Sequence, residues 1–450
     1  MKNKDLLRLI KHMRFSTISI ALLLIITTVS TTVSKAQEVL TLEQAIRIAL
    51  ENNYTVRISK NETVISTSNV SLANAGILPN ASADLTNTHS IQNTSQTQSD
   101  GSVRELDKAK NSSLNYGVSL NWTIFDGFGM FANYDRIKEL EKLGETNMKA
   151  TILSTVSDVV NRYYYLIRLQ KEAEARDSVV TISRQRLNTA INRYTIGKAA
   201  KLEVLNATVD LNTDTTDLLR QKDLVFSNKI ALNELLARDV NTSFEIRDSI
   251  TIDRDLNYPD LLERASKENP VIQTAFINER IARLNLKQVK SLRYPTIGIN
   301  SGYNFSNSHS ELGFARDSKG QGFNYGLTAS LNLFNGFLQK RNEKNANIQI
   351  DNAQLDYSRL KQNIISQLST AYQTYRTNLT LVKLENDNQN VAKQNLQITL
   401  DKYRLGSVTP VEFREAQRNF LEASVRFTDS QYQAKQAEIA LKELAGNNAF

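Results

Sequence analysis

Glu412 and Glu415 stand three residues apart in a stretch of helical pattern, which places both carboxylates on one helical face. Paired carboxylates on one face attract cations and resist full ionisation of both acids. Glu412 also has a purely structural use. Thr409-Pro410-Val411-Glu412 reads as a helix start, with a capping threonine, proline at the first helical position and a glutamate three after the cap. Glu203 lacks that threonine, because Ala200 stands in its place, so capping accounts for it less well. Covalent or metal chemistry finds little material. The histidines are His12, His89 and His309, cysteine is absent, and no zinc-ligand spacing or nucleophile elbow occurs. Phe125 to Gly129 holds two glycines but not the third that a nucleotide-binding loop needs. No enzyme activity and no cofactor are expected.

These residues sit in a chain written twice. Asn115-Tyr116-Gly117 and Phe125-Asp126-Gly127-Phe128 return as Asn324-Tyr325-Gly326 and Phe334-Asn335-Gly336-Phe337. Tyr194-Thr195-Ile196-Gly197 returns as Tyr403-Arg404-Leu405-Gly406, again 209 positions on. A duplication this regular implies one architectural unit built twice.

Long helices are the clearest part of that unit. Ile152, Val159, Leu166, Ala173, Val180, Leu187 and Tyr194 recur every seven residues, with Val156 and Tyr163 at the intermediate step. The second copy repeats the stripe at Leu368, Tyr375, Val382, Leu396 and Tyr403, broken at Gln389. A heptad kept this long predicts left-handed supercoiling against a neighbour. No proline interrupts 128–192, and a rod of about 65 residues measures roughly 100 Å. Gly197 and Gly406 are placed to end each rod in a left-handed cap, after which a second helix starts near Ala200 or Thr409.

Before each rod the periodicity is two. Leu114, Tyr116, Val118, Leu120, Trp122 and Ile124 alternate with small polar residues, and Phe323 to Leu333 does the same. The intervening stretches at roughly 90–112 and 307–322 are rich in Ser, Asn, Gln and Gly and read as exposed loops. Eleven alternating residues match the roughly 9–11 that a tilted strand needs to cross a bilayer. Tyr116, Trp122, Phe125, Tyr325 and Phe334 concentrate there, as an aromatic girdle at the lipid boundary requires. Four strands leave two open edges, which lipid does not tolerate, so copies of the chain must pool strands. The pattern alone permits two, three or more subunits.

The start of the chain is different. Lys2, Lys4, Arg8, Lys11 and Arg14 precede the apolar run 18–26, and Ser34-Lys35-Ala36 offers a small-x-small cleavage site, so residues 1–36 read as an export signal. Without it, 49 basic and 46 acidic residues remain and the formal charge falls from +8 to +3, which argues for no nucleic-acid partner. The expected organisation is a first repeat over 37–240, with a β-hairpin at about 80–125 and a helical hairpin at about 128–238. A polar linker at 241–258 follows. The second repeat covers 259–446, with hairpins at about 295–334 and 337–446, and 447–450 form a tail.

Together these motifs resemble the TolC-like outer-membrane efflux and secretion channels. The resemblance covers nearly all of 38–446, including Leu40-Thr41-Leu42-Glu43-Gln44-Ala45, Pro79 and Pro295 before the hairpins, and the Tyr-x-x-Gly tips. It implies a homotrimer in the outer membrane of a Gram-negative bacterium: a twelve-stranded β-barrel, four strands per chain, continued by an α-helical periplasmic tunnel. The conduit would be passive, fed by an inner-membrane transporter through a periplasmic adaptor, as in efflux or type I secretion. It further implies that Glu203, Tyr403, Glu412 and Glu415 lie at the periplasmic aperture. Ile196, Gly197, Lys198, Leu405, Gly406 and Ser407 would be adaptor-docking tips. Val408 stands where some relatives carry a basic residue that ties adjacent coils. The competing architecture is a periplasmic coiled-coil adaptor or scaffold, which has no use for paired amphipathic hairpins with girdling aromatics.

Overall fold

A computed structural model describes residues 38–312 and 315–447; the export signal expected over 1–36 and the tail beyond Asn447 lie outside the described residues. The chain opens with β1 (Glu38–Val39), α1 (Leu42–Asn52), α2 (Tyr54–Ser68), and the hairpin β2 (Asn80–Thr97) and β3 (Val103–Phe125). The rods α3 (Gly129–Thr195) and α4 (Lys201–Leu235) follow. After β4 (Phe244–Glu245) the order recurs as α5 (Tyr258–Glu268), α6 (Pro270–Ser291), β5 (Thr296–Ser310), β6 (Asp317–Ser330), α7 (Leu338–Leu405) and α8 (Pro410–Leu444).

The heptad stripe is the buried seam. Val159, Leu166, Leu368 and Tyr375 are almost completely enclosed, and Val382, Leu396 and Tyr403 are buried with them. Gln389 breaks the apolar pattern because it reaches across the coil to Ser424, its amide donating to Oγ over 3.3 Å. The two copies part at their ends: Tyr403 is 0% exposed, whereas Tyr194 is 47% exposed.

At mid-height the linker straps the rods. β1 pairs in parallel with β4, burying Leu40 and Phe244 against Val159 and Leu166. The single Tyr163 hydroxyl proton is shared between Leu40 O, 2.9 Å away, and the Asp248 carboxylate. In the second copy the Tyr375 hydroxyl donates to Asp253 O over 2.5 Å. Two asparagines work in parallel. Asn53 Oδ1 caps α2 by accepting from Thr55 N, while its Nδ2 donates 2.8 Å to the carbonyl of Leu235, the last residue of α4. Asn269 caps α6 in the same way and donates 2.9 Å to the carbonyl of Leu444, the last residue of α8. Each therefore satisfies orphan groups at two helix ends.

The four long strands form one antiparallel sheet in the order β2-β3-β5-β6, so the hairpins of the two copies join through β3 and β5. Its polar face packs glycine against asparagine: Gly117 lies opposite Asn304, and Gly326 opposite Asn300. The loops expected at 90–112 and 307–322 are corrected. Paired strand fills 94–97 against 103–106, and 306–309 against 317–320. The Gln98–Ser102 turn, with Gly101 at φ 87°, closes the first of these ribbons. Its Ser, Thr and Asn residues then complete a ladder that needs no burial, because each step satisfies backbone groups.

Aromatic residues lie in two layers. Tyr116 stacks on Phe305 at 4.8 Å, with Tyr303, Phe323 and Tyr325 close by in the register. Phe125 and Phe334, each nine residues further on, pack edge-on to Phe128 and Phe337 where the rods begin. In β3 the nine residues between these layers, tilted as barrel strands are, would span roughly 25 Å, the height of a membrane barrel's apolar band. Trp122 is fixed within the second layer by donating 2.8 Å to Ile77 O. Below the sheet, α2, α3, α6 and α7 pack side by side in that order.

Candidate functional site

The far ends of the rods carry the residues singled out in the sequence. Helix α7 stops because Gly406 adopts φ 80°, a conformation that favours glycine, and the amide of Ser407 closes the turn on Lys402 O at 2.9 Å. A Cβ on Gly406 would meet nothing within 4 Å, so backbone conformation rather than space selects glycine there. Gly197 repeats the turn at φ 72°, with the Lys198 amide on Arg193 O at 2.8 Å. Ile196, Lys198, Leu405 and Ser407 are all exposed around these turns.

Helix α8 starts as a complete capping box. Thr409 Oγ1 accepts from Glu412 N at 3.2 Å, and the Thr409 amide donates to Glu412 Oε2 at 2.7 Å. That amide, and then the Thr409 hydroxyl donating 2.9 Å to the same oxygen, hold the Glu412 carboxyl below the usual carboxylate range. Glu415, on the same exposed face, pairs with Arg418 at 2.7 Å.

Glu203 behaves differently. Its carboxylate accepts 2.8 Å from the Tyr403 hydroxyl, 200 positions away in the other repeat, and pairs with Arg193 at 3.3 Å. The structure thus brings Glu203 and Tyr403 together and leaves Glu412 and Glu415 apart from them on the surface. Tyr403 is stacked on Phe413 at 5.1 Å and enclosed by Leu400, Ala416 and Val408. Burial, and then the adjacent Glu203 carboxylate, push its hydroxyl up to about 12.

Sequence reasoning missed the polar layer next to this contact. Arg414 forks onto both carboxylate oxygens of Asp214, at 2.8 and 2.9 Å, and lies 3.7 Å from Asp210. Asp210 also receives Arg186 at 2.5 Å, and Ser183 donates to Asp214 at 2.5 Å. Gln417, fully buried, donates to Ser183 Oγ and to Val179 O. The pairs Ser183/Arg186, Asp210/Asp214 and Arg414/Gln417 share helical spacing of three or four residues, a signal available in the sequence but not tied there to a partner. Through this layer the coil of α3 and α4 is bolted to α8.

No helix among the described residues is long and apolar enough to cross a membrane. The sheet carries an exposed apolar face: Phe323, Tyr325 and Leu327 share it, with Tyr325 81% exposed. Comparison with known proteins agrees with that geometry. A sequence model of the family "Outer membrane efflux protein" matches residues 45–238 and 261–447. The outer membrane protein TolC of Vibrio cholerae is 19% identical over 356 residues, covering 78% of this chain and 79% of TolC. The CmeC outer membrane channel of Campylobacter jejuni superposes with a TM-score of 0.75 at 16% identity, over 90% of this chain and 85% of CmeC. VceC of Vibrio cholerae gives 0.71 at 17% identity, over 90% and 96%.

Proposed function

Because the chain belongs to the outer membrane efflux protein family and is an outer-membrane export channel, we propose that three copies close its barrel and that the Tyr403–Glu203 contact holds the periplasmic mouth shut. The observation that carries this reading is the open sheet. Strands β2 and β6 each end it with an edge unpaired within the chain, in a sheet whose outer face is apolar. Lipid does not tolerate such edges, and twelve strands fall within the range of closed membrane barrels. Three sets of α2, α3, α6 and α7 continue the wall below as a twelve-helix tunnel.

The chain does no chemistry on its cargo; an inner-membrane transporter supplies the energy. Small polar residues, Asn115, Ser119, Asn121, Asn304 and Asn324, face the lumen and offer little selectivity. Closure is built from the tips. Opening separates α7 and α8 from α3 and α4, which breaks Tyr403–Glu203 and loosens the Arg414 layer. Glu203 serves closure, while Glu412 and Glu415, exposed and repeated threefold, form the acidic ring. Exposed Ile191, Tyr194, Leu202 and Leu205 beside the Gly197 turn, and Leu405 and Val411 beside Gly406, support docking of an adaptor's helical hairpin there.

Planar-bilayer recording tests the reading. Purified chain should have a trimer's mass in detergent and give passive, cation-preferring conductance. Glu412→Gln with Glu415→Gln should move the reversal potential towards zero. A detergent-independent soluble monomer without conductance overturns the channel, and an unmoved reversal potential removes the ring.

A further inference from the structure

We propose that the outer face of the α3–α6 seam, just below the barrel, binds the anionic phospholipid headgroup of the periplasmic leaflet. The lipid-facing side can be followed through ring contacts. A bulge between Thr123 and Phe125 shifts the register by one residue, so that Phe125 pairs with Ile297 and shares the apolar face on which Trp122 lies opposite Ile299. Phe125 packs on Phe128 at 5.3 Å and Phe128 on Phe131 at 6.3 Å, which carries that face onto the first turn of α3. Phe128 and Phe131 then line a groove with Tyr294, Lys287 and Lys290 of the opposite wall. Exposed aromatic rings give way here, within two helical turns, to exposed cations.

The groove runs on into a second depression that shares Asp135 and Lys287 with the first and adds Lys138, Lys142, Arg280 and Arg283. On α3, Phe131, Asp135, Lys138 and Lys142 follow steps of four, three and four, one face of a helix; on α6, Arg283, Lys287 and Lys290 do the same. The acids present are Asp135, Glu139 and Glu141. Buried Glu139 is already bound by Lys142 at 2.9 Å and Arg280 at 2.7 Å, and Arg283 by Glu279 at 2.7 Å. Lys138 lies 4.2 Å over the Tyr134 ring, and neither Lys287 nor Lys290 makes a salt bridge among the described residues; Lys290 also feels the Glu343 carboxylate, which is already forked by Arg293. Those three ammonium groups are the ones available to a phosphate.

Two further facts favour a lipid over a protein occupant. The seam lies in the middle of the four-helix wall, away from the α2 and α7 edges where neighbouring copies would join. It is also continuous with the aromatic layer that marks the membrane boundary, where basic residues meet anionic headgroups. The proposal rests on the outer-membrane reading but not on the gate.

Native mass spectrometry tests it on full-length chain extracted from nanodiscs of phosphatidylcholine mixed with phosphatidylglycerol. The wild type should retain one phosphatidylglycerol per subunit in preference to phosphatidylcholine. Lys287→Gln with Lys290→Gln should weaken that retention on the order of thirty-fold, as loss of two cations at an anionic surface implies. Lys60→Gln, on α2, should leave it unchanged. Conductance and trimer mass measured on the same samples separate loss of lipid from loss of the channel; if the double variant fails to assemble, Lys290→Gln alone is the readout. Equal retention of the two lipids, retention unaffected by the substitutions, or displacement of the bound mass by inorganic phosphate alone overturns the proposal.

Discussion

The Tyr403 hydroxyl donates 2.8 Å to Glu203 Oε1, so the last turn of the second repeat's rod is held by the first turn of the first repeat's returning helix. A hydroxyl bonded to a carboxylate in a closed setting contributes roughly 1.5–3 kcal/mol. Tyr403→Phe keeps the ring on Phe413 and removes only that bond. The closed state should lose about ten-fold or more in population per subunit. Single-channel conductance in planar bilayers should rise, with trimer yield unchanged. Conductance equal to wild type would show that the contact does not gate.

The same hydroxyl gives a pH signature. Its pKa is raised from near 10 to about 12, first by burial and then by Glu203. A raised pKa means the folded tip holds the proton more tightly than the unfolded chain. The contribution is therefore complete below pH 10 and is lost as pH climbs from 10 through about 12. Wild-type channels should open over that window. Tyr403→Phe channels should lack this component, and an identical alkaline profile in both would assign the opening to another group.

Arg414 and Asp214 make the stronger bolt. Asp214 is nearly enclosed, and Arg414→Met would leave its carboxylate with Ser183 alone. Breaking one partner of a buried pair costs about 3–5 kcal/mol; the lower end applies because Arg414 keeps some solvent contact. Asp214→Leu combined with Arg414→Met should recover most of that loss, because no charge is then stranded. Thermal melting of the detergent-solubilised trimer measures both, and a double variant no better than the worse single one would argue against coupling.

The rods and their stops were legible because their signals are local. A heptad needs only the next turn to be recognised, and Gly406 and the Thr409 box each announce a helix end within four residues. The loss of the stripe at Tyr194 has a different origin. Tyr403 is covered by Phe413 and Ala416, and the buried cluster they form at the second tip includes no residue from the Gly197 turn. The hairpin bounds near 80–125 and 295–334 are legible, but the strands reach further into each hairpin than alternation indicates, because ladder bonding in β2 and β3 stabilises polar residues that carry no hydrophobic pattern. The cross-repeat layer escaped for a similar reason. Arg414 and Asp214 are 200 positions apart, and nothing periodic links them.

Asn53 and Asn269 give a paired prediction, since each caps one helix and clamps the end of another. Asn→Ala at either site should cost roughly 2 kcal/mol, one part from the cap and one from the clamp. Asn→Asp keeps the acceptor for the cap but sets a carboxylate against the Leu235 or Leu444 carbonyl. It should release the ends of α4 or α8 while α2 or α6 stays capped. Hydrogen exchange separates these outcomes: faster exchange confined to the helix starts would mean that the clamp contributes nothing.

Gly117 should be the least replaceable residue of the sheet. A Cβ there would lie 2.3 Å from Asn304 Oδ1 and 2.6 Å from Tyr303 O. The first contact could be relieved by rotating Asn304, at the cost of its 3.0 Å bond to Asn324 Oδ1. The second is with backbone, and relieving it means spreading β3 from β5, the one seam that joins the two hairpins. Gly322, in β6, would place a Cβ within 4 Å of nothing. Gly117→Ala should therefore reduce the yield of heat-resistant trimer, and Gly322→Ala should not. Because both changes add one methyl group to a strand, the contrast isolates close approach of backbones from β-propensity, which favours alanine over glycine at both sites. Equal yields would mean that the seam between the repeats yields more easily than its packing implies.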